Sequence, residues 1–445
     1  MFTPPVSSFV RFGFLALGAL LAMPSSALLA QNMFRGDPAH SGAASGTAPT
    51  SAPTSAPKTK WAFKTGAPVI ASPSLADGLL FIGSDDKNFY AIDAANGAEK
   101  WRFATSGPVR STAAVVGGIA YFGSYDGAFY AVDVATGQQR WKFETEGERK
   151  FTAPGLHGLK PKRQLIADLW DCYLSSPTVV EGRVFFGSGD GHIYALDAES
   201  GALLWKHKTG DVVHASPAVA DGTVYIGSWD ANFYALDAAT GAVKWKLQTG
   251  TDPENHNAEG IQSSATIADG MVYFGNRDFH LYAVTAAAGE VKWKTKYTWV
   301  NATPTVRGDR VFGSTSIPAY FFALDRTTGT ELYKTEVKFP AFASPTIVGD
   351  LAYVGTFGGK LFAIEIATGA IRWEFQTEAS KANVHHAMTE TGEINFPAIF
   401  TSDFFEQLPY AFDAMLRLGA ILSSPVAHDG VLYFGSADGN VYALE

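Results

Sequence analysis

The residues of this 445-residue chain that could do chemistry gather in three stretches. The first, Glu146 to Leu174, carries Glu148, Arg149, Lys150, His157, Asp168, Trp170 and Asp171. The second, 251–261, carries Asp252, Glu254, Asn255, His256, Asn257 and Glu259, with Gln262 just beyond it. The third, 378–420, carries Lys381, Asn383, His385 and His386, then Phe396, Phe400, Phe404 and Phe405. Imidazole and carboxylate suit several divalent ions, so His256, His385 and His386 with Asp252 or Glu254 make the sharpest metal reading. The spacing argues against it. Adjacent histidines on a strand point to opposite faces, and no His-x-His or His-x3-His pattern places two on one side, so no metal site is expected. These groups read instead as a surface for hydrogen bonding, on which Trp229 and Trp299 could stack against a flat ligand.

Other chemistries lack a handle. Cys172 is the single cysteine and makes no internal disulfide or Cys-x-x-Cys pair. There is no Gly-x-Ser-x-Gly elbow and no phosphate-cradling loop. The formal net charge is -9 without a Lys/Arg run, which excludes a nucleic-acid footprint.

The elements that must position these residues come from a repeat. Ser-Pro, an apolar strand, Asp-Gly, a strand ending Gly-Ser, an acidic turn, Tyr-Ala-Leu-Asp, Thr-Gly and Trp recur eight times. The acidic end of the third strand falls at Asp93, Asp133, Asp197, Asp237, Thr285 (a substitution), Asp325, Glu365 and Glu445. Apolar alternation broken at Glu181-Gly182, Gly189-Asp190-Gly191 and Ser200-Gly201 gives four short strands per unit, and four strands make one propeller blade. The eighth unit stops after its third strand, while an orphan fourth strand, Trp61 to Gly66, precedes the first complete unit. The expected fold is therefore all-β: a single eight-bladed propeller of four-stranded antiparallel blades over 61–445, its last blade closed by the N-terminal strand so that no sheet edge is left open. A ninth blade at Tyr410-Ala411-Phe412-Asp413 is excluded, because only ten residues separate Asp413 from Ser424.

Trp101, Trp141, Trp205, Trp245, Trp293 and Trp373, with Tyr333 in the sixth unit, should pack between blades, each indole N–H needing one partner. Asp85, Asp126, Asp190, Asp230, Asp278 and Asp438 read as turn formers bonding their own backbone. The insertions at 146–174, 251–261 and 378–420 all fall between the fourth strand of one unit and the first of the next. They therefore share one face, which is where a repeat protein commonly builds its binding surface.

Residues 1–30, with Arg11, an apolar run and small residues around Ser25 to Ala30, have the layout of a cleaved secretory signal. Residues 31–60 form a lead-in and an Ala/Ser/Thr/Pro-rich spacer that lacks the apolar content to pack. No membrane span is expected in the mature chain.

The Tyr-Ala-Leu-Asp-Ala-x-Thr-Gly-x-x-x-Trp core, as in Tyr234 to Trp245, resembles the pyrroloquinoline-quinone-type (PQQ-like) propeller repeat family over about 61–445. Met33 to Gly42 is also similar to the lead-in found before such propellers in exported bacterial proteins, which implies a periplasmic home. The resemblance implies two kinds of function. One is the non-catalytic propeller of the outer-membrane assembly machinery, which binds partner proteins. The other is the quinoprotein alcohol dehydrogenase, which holds pyrroloquinoline quinone with calcium against a tryptophan and a disulfide of adjacent cysteines. The lone Cys172 departs from that disulfide. Under the second reading Trp170, Trp229 or Trp299 would be the stacking floor and Asp168, Asp171 or Glu259 calcium ligands. The preferred expectation is a soluble periplasmic binding or scaffold propeller, non-catalytic and without a cofactor, meeting a periplasmic or outer-membrane protein or a small ligand on the inserted face. The alternative is a quinone- and calcium-dependent dehydrogenase of alcohols or sugars. Candidate binding residues are Lys150, His157, Asp168, Trp170, Asp171, Trp229, His256, Asn257, Glu259, Trp299 and His385.

Overall fold

The computed structural model describes Met1 and residues 32–42, 57–159, 162–400 and 404–445. The signal reading of 1–30 and most of the spacer lie outside these residues. Eight four-stranded antiparallel sheets make the ring. In the first blade the strands are Ser74–Ala76, Leu79–Gly83, Asn88–Asp93 and Glu99–Ala104, paired in sequence order. The eighth joins Val426–His428, Val431–Gly435 and Asn440–Leu444 to Thr59–Lys64, which pairs with the third of these from Lys64↔Asn440 to Thr59↔Leu444. Burial follows from this order. Inner and middle strands are covered on both faces, whereas fourth strands such as Val243–Gln248 alternate exposed and half-buried residues along the rim.

The repeated tryptophans lock neighbouring blades. Trp61, Trp101, Trp141, Trp205, Trp245 and Trp293 each donate an indole N–H, over 2.8–3.1 Å, to the carbonyl just after the third strand of the next blade. Tyr333 does the same through its hydroxyl, 2.8 Å from the Ile366 carbonyl. The Thr-Gly step exists to admit these rings. Gly137 has φ +71°, and a Cβ there would stand 2.8 Å from the Trp101 ring, so glycine answers both the conformation and the clearance.

The acidic turns also tie blades together. Asp230 accepts from the Asn232 amide at 2.9 Å, from the Tyr234 hydroxyl at 2.6 Å and from the Gly210 amide of the preceding connection at 2.8 Å. Asp126, Asp190 and Asp438 bond their own turns likewise, through the amides of Ala128, His192 and Asn440. In the first blade this place belongs to Asp86, not Asp85. Asp86 bonds Asn88, Tyr90 and Gly66, while Asp85 takes a two-pronged ion pair with Arg110 at 2.6 and 2.8 Å.

The axial channel is filled from both ends. Thr112, Ser176, Ser216, Thr303, Ser344 and Ser424 each donate a backbone amide, over 2.8–3.0 Å, to the hydroxyl of the next serine around the axis. Inside this ring a cavity of about 40 Å³ is left, with Phe34 among its walls. Phe34 belongs to the lead-in, which does pack: Asn32, Pro38 and Ala39 accept backbone bonds from Val115, Val219 and Ile267. Arg35 reaches Pro345 and Thr305, and His40 meets Ala265 at 3.1 Å and Thr178 at 3.3 Å. The segment thus bridges blades two to seven at one mouth.

Candidate functional site

The other mouth is closed by the three insertions. The third folds into helices α1 (Glu378–Ala382), α2 (Phe396–Ile399) and α3 (Phe404–Leu416). Ile399, Leu408, Ala411, Phe412 and Met415 carry its core onto Phe342 and Phe357 of the ring. The third-strand echo at Tyr410 to Asp413 is therefore helix. The phenylalanines noted in the sequence do less: Phe396 is exposed, Phe400 is partly buried, and the Phe404 and Phe405 side chains lie outside the described set. His385 and His386 sit in the turn after α1 and not on a strand.

The first insertion forms a hairpin, Thr152–Pro154 with Leu165–Ala167, around a helical turn at Leu156–Gly158. It then turns inward at Asp168, so that Trp170 reaches the axis. There it makes edge contacts with Phe412 of α3 at 5.0 Å, Phe357 at 5.7 Å, Phe342 at 5.9 Å and Trp299 at 6.2 Å. The second insertion is pinned to the first and to blade five. The His157 amide donates to the Asn255 carbonyl at 2.8 Å, His157 Nδ1 lies 2.9 Å from Asn257 Oδ1, and the Trp299 indole donates to the Asn257 carbonyl at 2.8 Å.

Between these elements opens a cleft of about 550 Å³, within the range of small-molecule sites. Four candidate residues line it: His157, Trp170, Asn257 and Trp299. Asp252, Phe279, Thr298 and Ile317 complete its character, rings and apolar side chains with a few polar groups.

Beneath the cleft lies a buried charge network. Asp168, fully buried, accepts from Arg277 Nη1 at 2.6 Å and from the Trp170 amide at 2.8 Å, and lies 3.2 Å from His157 Nε2. Burial alone would raise its pKa, but the Arg277 guanidinium and the His157 contact hold it well below the usual carboxylate range. Arg277 is itself fully buried, its guanidinium 4.1 Å from the Trp299 ring and 4.7 Å from that of Trp229. Trp229 stacks on Phe151 at 4.5 Å and does not reach the cleft.

Asp171 belongs to a second network. With Glu148 it brackets His214, at 2.6 and 2.8 Å. Burial opposes the imidazolium, yet the two carboxylates push its pKa up to about 10. His214 stands on a layer just above the hydroxyl ring, where Arg110, Gln262 and Asn301 make a polar arc. Gln262 binds the Trp170 carbonyl at 2.8 Å. Burial pushes the nearby Cys172 thiol up to about 11, so it is a poor nucleophile at neutral pH.

The remaining candidates stand apart from the cleft. His256 pairs with Glu259, which also accepts the Asp252 amide at 2.9 Å. Lys150 and His385 are half-buried and line no part of it. Among the described residues no three His, Cys, Asp or Glu side chains are arranged to hold a metal ion. Sequence reasoning passed over Arg277 and His214. Both were marked by departure from the repeat, Arg277 at the position of Trp229, and His214 two residues before Ser216, where the first unit has Ile70.

The family described as outer membrane protein assembly factor BamB matches residues 42–167, 164–316 and 277–396. No curated protein matches the chain. Among solved structures, BamB from Moraxella catarrhalis is 18% identical, with a TM-score of 0.62, covering 87% of this chain and 97% of its own. Quinohemoprotein alcohol dehydrogenase from Comamonas testosteroni is 15% identical, with a TM-score of 0.68, covering 93% and 80%. The computationally designed Ika8 protein is 14% identical, with a TM-score of 0.61, covering 90% and 99%. Likeness at these identities speaks to the fold alone.

Proposed function

The chain belongs to the BamB family of PQQ-like repeat propellers, and from that premise we propose that it is an exported, periplasmic, non-catalytic binding propeller whose inserted face holds the ligand. The observation that carries this reading is the cleft of about 550 Å³ built jointly by the three insertions. Its walls are fixed by bonds between insertions, so the site is formed before a ligand arrives.

Pyrroloquinoline quinone with calcium does not suit these residues. Each candidate calcium ligand is already engaged: Asp168 with Arg277, Asp171 with His214 and the Phe151 amide, Glu259 with His256. Trp229 is packed by Phe151 and Arg277 and does not line the cleft, Trp170 makes edge contacts with four rings, and Trp299 has the Arg277 guanidinium 4.1 Å from its ring. The quinone carries three carboxylates, and among the described residues lining the cleft there is no Lys or Arg to receive them.

A protein partner is the second reading, favoured by exposed Leu165, Ile317, Val384, Phe396 and Tyr410, which come from the first and third insertions and the neighbouring blade-six turn. No helix among the described residues is long and apolar enough to cross a membrane. Titrating the mature chain with pyrroloquinoline quinone, with and without calcium, while following tryptophan emission tests the non-catalytic reading. No saturable quenching is expected. Calcium-dependent binding at micromolar or tighter concentration would replace this reading with the dehydrogenase.

A further inference from the structure

Resting on the cleft being a binding site, we infer that its ligand is a small organic amine with a ring-bearing, apolar body and one cationic head. Trp170, Phe279, Trp299 and Phe342 supply the apolar walls. Against them stands one carboxylate, Asp252. Among the described residues lining the cleft it is the only acidic side chain, and it enters none of the described ion pairs. Its oxygens accept backbone amides of Asn255 at 3.3 Å, Asn257 at 3.1 Å and Ala258 at 3.3 Å. These bonds outweigh the effect of burial and hold its pKa below the ordinary carboxylate value, so it is charged at neutral pH.

The Arg277 guanidinium does not cancel this charge. It lies behind Trp299 and is neutralised by Asp168 at 2.6 Å, so that pair contributes no net charge. Glu254, Glu259 and His256 share the second insertion with Asp252, and among the described residues the ion pair formed there is His256 with Glu259. The exposed cations of the first insertion among the described residues, Arg149, Lys162 and Arg163, do not line the cleft. Thr298 borders the same space. An ammonium group beside Asp252, with its body against the rings, gives this carboxylate the opposite charge that no described ion pair supplies.

The test uses three probes of one shape: phenethylamine, 2-phenylethanol and phenylacetate, titrated into the whole mature chain near pH 7 at low salt and followed by tryptophan quenching. The amine should bind about fivefold more tightly than the alcohol, the factor that goes with one partly exposed ion pair, and phenylacetate should bind most weakly. Asp252→Asn should bring the amine down to the alcohol. Because Asp252 also shapes its loop, salt on the unaltered chain gives an independent measure: the gap between amine and alcohol should narrow as ionic strength rises. Phenylacetate binding as well as the amine, or a gap indifferent to both salt and Asp252→Asn, would overturn the amine while leaving the cleft as a site. Failure of all three probes to bind would overturn the cleft itself.

Discussion

Stability of this protein should peak near pH 6.5 and fall on both sides, because two buried histidines titrate in opposite senses. His214 is 1% exposed, and Asp171 and Glu148 raise its pKa to about 10 against the effect of burial. An unfolded histidine titrates near 6.5, so the stabilisation from His214 is complete below about pH 6.5 and is lost as the pH rises towards 10. One proton held by the folded state alone gives a slope of about 1.4 kcal/mol per pH unit, so roughly 2–3 kcal/mol should disappear between about pH 6.5 and 8.5. Cys172, raised to about 11, adds the same sign only above its unfolded value of about 8.5, which leaves the lower window to His214. On the acid side burial pushes His40 down to about 4. Its folded form takes up fewer protons than its unfolded form, so that contribution is present above about 6.5 and lost as the pH falls towards 4. The assay is urea unfolding followed by tryptophan emission in half-unit steps from about pH 5 to 9. His214→Gln should remove the alkaline limb. His40→Asn should remove most of the acid limb, leaving the smaller part due to half-buried His207, whose pKa is also lowered by burial. A flat profile between about pH 6.5 and 8.5, or an alkaline limb that survives in His214→Gln, would refute the reasoning.

Three further outcomes are expected. Arg277→Met leaves the Asp168 carboxylate buried without its guanidinium and should cost about 3–5 kcal/mol of unfolding free energy by denaturant titration; replacing both partners by apolar residues should cost less. Replacing Thr251 to Gly260 by a short turn removes Asn255 and Asn257, which hold His157 and Trp299. It should abolish binding of the phenethylamine probe while cooperative unfolding persists. Arg35→Ala removes the bonds from the lead-in to Pro345 and Thr305, and a loss of about 2–3 kcal/mol should appear in the same unfolding assay.

The ring was legible because its signals are local and repeated. Tyr-Ala-Leu-Asp and Thr-Gly-x-x-x-Trp specify a strand, a turn and the interblade contact within one period, and the orphan strand at Trp61 matched the missing strand after Glu445. The turn aspartate of the first unit was misread by one residue because Asp85 and Asp86 are adjacent. Only the partner decides between them, and Arg110 lies 25 residues away from Asp85. The candidate cleft lies where the sequence pointed, but its wiring was not legible. Insertion lengths gave the face, and His157, Trp170, Asn257 and Trp299 came from it. Arg277 and His214 sit inside the regular repeat, where attention falls on what recurs, and their partners Asp168 and Asp171 are 109 and 43 residues distant. The channel plug was hidden for a related reason: much of its hold on Val115, Val219 and Ile267 is through backbone atoms, which any sequence supplies.

The claim that the inserted face is the binding surface is tested most directly by photo-crosslinking in cells that produce the chain. Benzoylphenylalanine replaces Ile317 at the cleft, or Ile371 on the rim strand of blade seven, residues of nearly equal exposure at 45% and 44%. After illumination, intact mass and gel mobility report small-molecule and protein adducts alike. A discrete adduct from position 317 and none from 371 is the result expected. Adducts from 371 alone, or equally from both, would contradict it.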